Sequence, residues 1–249
     1  MYPVLIKLGP VTIYTYGIFV FLGLLLGYFV SLREAKRLGI DCTKFTDIIF
    51  WTAVIALIGA RIFYVIMEYK WFIQRPLEII LSRSGFVFYG GVIFGFIPLY
   101  FLTKKYKIDS LKMLDSLGLG LPLGHSLGRL GCFFYGCCYG KPTDSVWGVL
   151  FPLNSPAGML AEKVIPTQLI SSFFLFLIFI VLLFIRKYKK FRGQIFLYYL
   201  VLYGIFRFII EFFRGDERGQ ILFFTTAQII SIILVGMGCF LFFKWRKKA

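Results

Sequence analysis

The chain has 249 residues, of which 59% are hydrophobic, 20% aromatic and only 16% charged. A soluble domain of this length cannot hide so much apolar surface, so the composition excludes a water-soluble globular fold and points to an all-α, polytopic membrane protein. The net charge of +16 is read as basic cytoplasmic loops and not as a nucleic-acid surface.

Apolar runs of bilayer-spanning length recur along the chain. They predict seven spans at about 11–31, 46–67, 86–103, 113–133, 167–185, 194–213 and 225–243, as one transmembrane domain over residues 1–249. No basic segment or cleavage site precedes the first run, which is therefore expected to be retained. Between the second and third, "EYKWFIQRPLEIILSRSG" (68–85) reads as an amphipathic stretch lying along the interface. The fourth span, "LGLGLPLGHSLGRLG", is interrupted by Gly and Pro, which a membrane helix tolerates where it faces protein or a cavity. There is no long soluble segment, repeat or low-complexity tract.

Lysine and arginine set the expected orientation. The stretches 33–44, 104–112, 186–192 and 244–248 carry 17 of them, against 8 on the other side. The positive-inside rule then puts the N-terminus outside and the C-terminus in the cytoplasm.

Three arginines, Arg61, Arg129 and Arg207, fall inside apolar spans. Each costs about 3 kcal/mol or more there and is expected to face a cavity or a partner. With this topology all three lie in the outer half of the membrane. Glu211 is one turn from Arg207 on the same helix face. One carboxylate cannot neutralise three guanidiniums, so the pattern predicts an anionic ligand, and a phospholipid phosphate is the anion available at that depth. Tyr16 and the Tyr89-Gly90-Gly91 segment fall at the same level, the glycines being placed to let a ligand approach the backbone. His125 is one turn from Arg129.

The stretch 128–142, "GRLGCFFYGCCYGKP", holds Cys132, Cys137 and Cys138. Several readings stay open: a disulfide on an oxidising side, thiols activated by Arg129, or small residues in a tight turn. A metal site is also conceivable, but C-x4-C-C matches no standard zinc spacing, and the expectation is of a site without metal or soluble cofactor. Cys42 and Cys239 are dispersed and read as packing residues.

These motifs resemble the prolipoprotein diacylglyceryl transferase family. "GRLGCFFYGCCYGKP" is similar to its signature G-R-x-G-N-F-x-N-x-E-x-x-G-R. "YTYGIF", "GARIFYV", "FYGGVIFG", "PTQL" and "RFIIEFFR" follow other family segments in order. The departures lie on the acid–base side. The family's catalytic His is Tyr89 here, its Asn is Cys132, its acidic residue is Cys137, and the basic residue after Gly140 is Lys141. Ile165 replaces a His, and Ser171-Ser172 stand for a Tyr-Glu pair.

The resemblance implies a transferase at the outer face of a bacterial plasma membrane. Its donor would be phosphatidylglycerol and its acceptor the lipobox cysteine thiol of a preprolipoprotein. Arg129, Arg207, Glu211, Tyr89 and His125 are the expected catalytic residues, and Tyr16, Arg61, Gly90, Gly91, Cys132, Cys137 and Gly140 the expected substrate-binding ones. The alternatives are a diverged transferase with another acceptor, using Cys137 or Cys138, and a non-enzymatic phospholipid binder or scramblase. The cysteines are expected to support the site without forming a lipid adduct, because a thioether is a poor leaving group.

Overall fold

The computed structural model describes residues 3–9, 11–81, 87–216, 220–221 and 223–247. In chain order the elements are β1 (Val4–Leu8), β2 (Val11–Tyr14), α1 (Thr15–Arg37), α2 (Cys42–Met67), α3 (Tyr69–Gln74), α4 (Pro76–Leu81), α5 (Phe88–Lys105) and α6 (Ser110–Tyr135). There follow β3 (Val149–Leu150), β4 (Lys163–Val164), α7 (Thr167–Ile185), α8 (Gln194–Glu211), β5 (Gln220–Ile221), β6 (Phe224–Thr225) and α9 (Thr226–Arg246). The helices Thr15–Arg37, Cys42–Met67, Thr167–Tyr188, Gln194–Glu211 and Thr226–Arg246 are long and apolar enough to cross a membrane.

The other two expected spans are occupied by α5 and α6. Helix α6 is the more polar of them, since it contains Lys112, Asp115, His125 and Arg129. The first expected span needs a correction at its start. Residues 11–14 form β2, paired antiparallel with β1, and the helix begins at Thr15. Val11-Thr12-Ile13 is a β-branched run that suits a strand, and Gly9 at φ 56° lets the chain reverse before it. The expected interfacial stretch 68–85 contains α3 and α4, whose described residues are almost all exposed, while 82–86 lie outside the described residues.

Two compact units share the chain, Met1–Glu34 with Leu114–Ala249, and Ala35–Met113. In the first, α1 and α6 approach through glycines spaced four apart on each helix. A Cβ at Gly23 would sit 2.6 Å from the Gly124 carbonyl, and one at Gly27 would sit 3.1 Å from that of Gly120. Small residues at this spacing let two membrane helices touch along their backbones, where dispersion is the main attraction. Helix α6 also meets α8, because Gly118 leaves room for the Phe196 backbone.

Asp115, fully buried on α6, serves as the missing cap of α8. It accepts from Gly193 N at 2.8 Å, Ile195 N at 2.8 Å and Phe196 N at 3.2 Å, and it pairs with Lys189 Nζ at 3.1 Å. Backbone donors at a helix start have no partners within the helix, and in an apolar setting an unmet donor is costly. Arg186 and Glu34 pair at 2.7 Å in the same unit. Around these contacts Leu119, Phe179, Leu182, Ile195 and Leu197 form the core. Helix α9 starts on a capping box between Thr225 and Gln228.

In the second unit, α2 and α5 interlock. Phe94 fills the space above Gly59, and Phe63 fills that above Gly90.

Candidate functional site

The turn that ends α6 brings the three cysteines together. Gly136, at φ 81°, donates to Phe133 O at 3.2 Å, and Cys137 N donates to Cys132 O at 3.2 Å. This is the Schellman pattern, which satisfies the last carbonyls of the helix and folds the chain back over its end. Cys138 then adopts φ 62°, itself a left-handed conformation. As a result the sulfur atoms of Cys132, Cys137 and Cys138 all lie within 4.8 Å of one another, as free thiols.

The start of α7 holds this turn in place. Thr167 Oγ1 donates to Cys138 O at 2.9 Å and Gln168 Nε2 donates to Cys137 O at 2.8 Å. Gln168 is 1% exposed, and its Oε1 has no hydrogen-bond donor among the described residues. Gly140 N donates to Ile165 O at 2.9 Å, and Gly140 pairs as an isolated bridge with Arg214. A Cβ at Gly140 would meet the carbonyls of Ile165 and Phe213 at 2.6 and 2.8 Å, so only glycine lets these three segments converge.

The thiols do not titrate alike. Cys138 is pulled down, because the thiols of Cys132 and Cys137 donate to it and Arg214 and Arg129 lie within electrostatic reach, outweighing its burial. Cys137 is pushed up by its bonds to the other two thiols and by burial.

The arginines are held in three different ways. Arg207, 9% exposed, pairs with Glu211 at 2.7 Å, and Glu211 Oε1 accepts from Thr225 Oγ1 at 3.0 Å. Arg214 lies in the turn after α8 and grips Asp216 with two bonds of 2.7 Å, from Nε and Nη2. Arg129 is half-buried on α6, and among the described residues no hydrogen bond or ion pair reaches its guanidinium. His125, one turn before it, rests its ring against Tyr203 at 5.3 Å between centroids, within electrostatic reach of Arg129 and Arg207. Tyr16 packs its ring against Tyr135 at 6.2 Å and is within electrostatic reach of Arg129 and the three thiols. Thus Tyr16, His125, Arg129, Cys132, Cys137, Gly140, Arg207 and Glu211 all belong to the first unit.

Arg61, Tyr89, Gly90 and Gly91 belong to the second unit. Arg61 donates to the Ile79 carbonyl and lies over the Tyr64 ring, 5.6 Å from its centroid. Tyr89 lies in the first turn of α5, and its side chain is outside the described residues. Gly90 and Gly91 require a correction. The room they leave is taken by α2: a Cβ at Gly90 would meet Phe63 Cβ at 2.4 Å and Gly59 O at 2.7 Å, and one at Gly91 would meet Ala56 O at 3.4 Å. Their lack of side chains serves helix packing instead of opening the backbone to a ligand.

Sequence reasoning missed Arg214, which it counted as an outer-loop charge, and the part played by Thr167 and Gln168. The Arg-x-Asp spacing of Arg214 and Asp216, directly after α8, was the available signal for the first. The family-like "PTQL" segment marked the second pair, but not its partners, which are about thirty residues away.

The model of the prolipoprotein diacylglyceryl transferase family matches residues 3–244. The chain belongs to that family. It is 39% identical over 247 residues to the phosphatidylglycerol–prolipoprotein diacylglyceryl transferase of Clostridium tetani, covering 97% of each chain. A protein of the same description from Finegoldia magna is 37% identical, with 94% of this chain and 91% of the relative covered. That from Clostridioides difficile is 38% identical, with 88% and 85% covered. This family member is a transferase, embedded in a membrane by its apolar helices.

Proposed function

We propose that this chain transfers the diacylglyceryl group of phosphatidylglycerol to the lipobox cysteine thiol of preprolipoproteins, at the outer face of the bacterial plasma membrane. The observation that carries the reading is Arg129. It is a half-buried guanidinium on α6 that no hydrogen bond or ion pair reaches among the described residues, and a phosphate is the ligand its fork suits.

In this reading Arg129 and Arg207 hold the donor phosphate. As the bond between the glycerol carbon and the phosphate oxygen breaks, negative charge grows on the phosphate, and preorganised cations stabilise it. Glu211 keeps Arg207 oriented, and Thr225 keeps Glu211 oriented. The acceptor sulfur attacks the glycerol carbon, its proton is lost to a base, and glycerol phosphate leaves with the electron pair. Tyr16 and His125 line the same region of the first unit. Tyr89 stands where the family usually has His, and a phenol, with an unperturbed pKa of about 10, holds little of its base form near neutral pH. The seven long helices cross the membrane with the N-terminus outside and the C-terminus in the cytoplasm. A cysteine placed at position 141 then reacts with an impermeant external reagent, and one at 105 does not.

The direct test is to incubate purified protein with phosphatidylglycerol and a lipobox peptide. The reading requires the peptide to gain the mass of a diacylglyceryl group as glycerol phosphate is released. Release of glycerol phosphate only with some other acceptor would favour a diverged transferase. Two chemically unchanged substrates would favour a lipid binder or scramblase.

A further inference from the structure

The phosphate clamp does not account for the gathering of the three thiols. They come from two segments, the end of α6 and the turn after it, and the chain accepts a left-handed cysteine at Cys138 while they gather. Their sulfur atoms lie within 4.8 Å of one another. Sulfurs bound to one tetrahedral zinc ion, each about 2.3 Å from the metal, lie about 3.8 Å apart. Small side-chain rotations close that difference. The surroundings suit the charge such a set would carry. Three thiolates around a divalent ion leave one net negative charge, and Arg129 and Arg214 are the cations within reach. Gln168 Oε1, buried and without a donor, supplies an acceptor beside the same turn.

We propose that Cys132, Cys137 and Cys138 bind a thiophilic divalent metal ion, with zinc the ion they suit, and that its open fourth position takes the thiol of the acceptor. This revises the sequence-based expectation of a metal-free site, and it rests on the transferase reading above. Three protein ligands with a vacant fourth position are the mark of a catalytic zinc site, whereas structural sites are closed by four. A thiol that coordinates such an ion is deprotonated outright. The site thereby supplies what this chain lacks where Tyr89, Cys132 and Cys137 stand in place of the family's His, Asn and acid.

The chemistry balances. Each protein thiol that becomes a ligand gives its proton to solvent as the metal enters. The acceptor thiol loses its proton to solvent when it takes the fourth position. Its sulfur then uses an electron pair to form the bond to the glycerol carbon, and the C–O bond to the phosphate breaks with its pair on oxygen. Nothing is oxidised or reduced. The product thioether is neutral, binds the metal poorly and leaves. No cysteine of the enzyme is alkylated.

The test uses the full-length protein purified in detergent under reducing conditions. Metal analysis is expected to give about one zinc per chain, as a single three-sulfur site requires. Cys132→Ser, Cys137→Ser and Cys138→Ser are each expected to lose most of it, while Cys42→Ser and Cys239→Ser keep it. Since a serine variant can misfold, wild-type protein supplies a second readout. After chelation and loading with Co2+, it is expected to show thiolate-to-cobalt absorption that shifts with a lipobox peptide but not with its Cys→Ser analogue. Chelation is also expected to lower transfer at least ~100-fold, restored by Zn2+, a loss of the size seen when one preorganised stabilising group is removed. Absence of metal uptake, a disulfide between two of the three cysteines in active enzyme, or unchanged transfer after chelation would overturn the proposal. If no preparation lipidates the peptide, the transferase reading fails, and the cobalt spectrum still decides whether the metal site exists.

Discussion

Helix α6 carries two charged residues with opposite circumstances. Asp115, near its start, is fully buried and saturated, with three backbone donors and a lysine around one carboxylate. Arg129 is fourteen residues on, about 21 Å along the axis at 1.5 Å per residue, and among the described residues no hydrogen bond or ion pair reaches it. Burying a charge in an apolar medium is expensive for both. The fold spends a helix cap and a lysine to satisfy the first and leaves the second facing whatever binds there. Saturation marks a group that holds the structure together, and a half-buried charge without such partners marks a group kept for a ligand.

The two residues should therefore respond in opposite ways to substitution. Asp115→Ala strips α8 of its cap and leaves Lys189 unpaired, and the loss is expected to be about 3–5 kcal/mol, the range for breaking a buried charge pair. Thermal unfolding in detergent should show it as a large fall in midpoint and in yield. Arg129→Ala should leave the unfolding midpoint nearly unchanged. A comparable destabilisation of the two variants would erase the contrast.

A second variant sharpens the active side. Arg207→Lys keeps the charge near Glu211 but replaces a planar fork with a point donor. Turnover is expected to fall about tenfold or more, because about 1.4 kcal/mol or more of stabilisation at the phosphate is lost, with insertion and stability preserved. Turnover close to that of the unaltered protein would show that charge alone suffices there.

How much of this was legible beforehand varies with the range of the interaction. The five helices long and apolar enough to cross a membrane could be read because each is a local run of apolar residues. The β1–β2 hairpin was absorbed into the first run, because its strands are themselves apolar and the alternation is too short to stand out. The three arginines and Glu211 were legible because charge inside a span is conspicuous. Asp115 as the cap of α8 was not, since its partners lie about 78 to 81 residues away. Gly90 and Gly91 were noticed but misread, because a glycine pair looks the same in sequence whether a ligand or a neighbouring helix uses the space. The cysteines were seen as a group, but that their sulfurs converge depends on two successive left-handed turns, at Gly136 and Cys138, which spacing does not encode.

Two smaller effects refine the structural half of the comparison. Gly120→Ala places a Cβ in collision with Ser31 Oγ and the Gly27 carbonyl, so α1 and α6 must separate. Overpacking of this kind is expected to cost about 1–3 kcal/mol, read as a lowered unfolding midpoint. Ser172→Ala removes the hydroxyl that donates to Ser126 O at 2.9 Å. One interhelical hydrogen bond in a membrane is worth about 0.6 kcal/mol, so this variant should be near the limit of detection.

The most direct test of the central claim is the rate at which Arg129→Ala, shown to be inserted and stably folded, transfers the diacylglyceryl group from phosphatidylglycerol to a lipobox peptide. The account predicts a fall of at least ~100-fold relative to the unaltered protein, as expected when a preorganised donor to a developing anion is removed. A rate within a few-fold of the unaltered protein would contradict it, because the unanswered guanidinium on α6 would then not be the group that holds the phosphate.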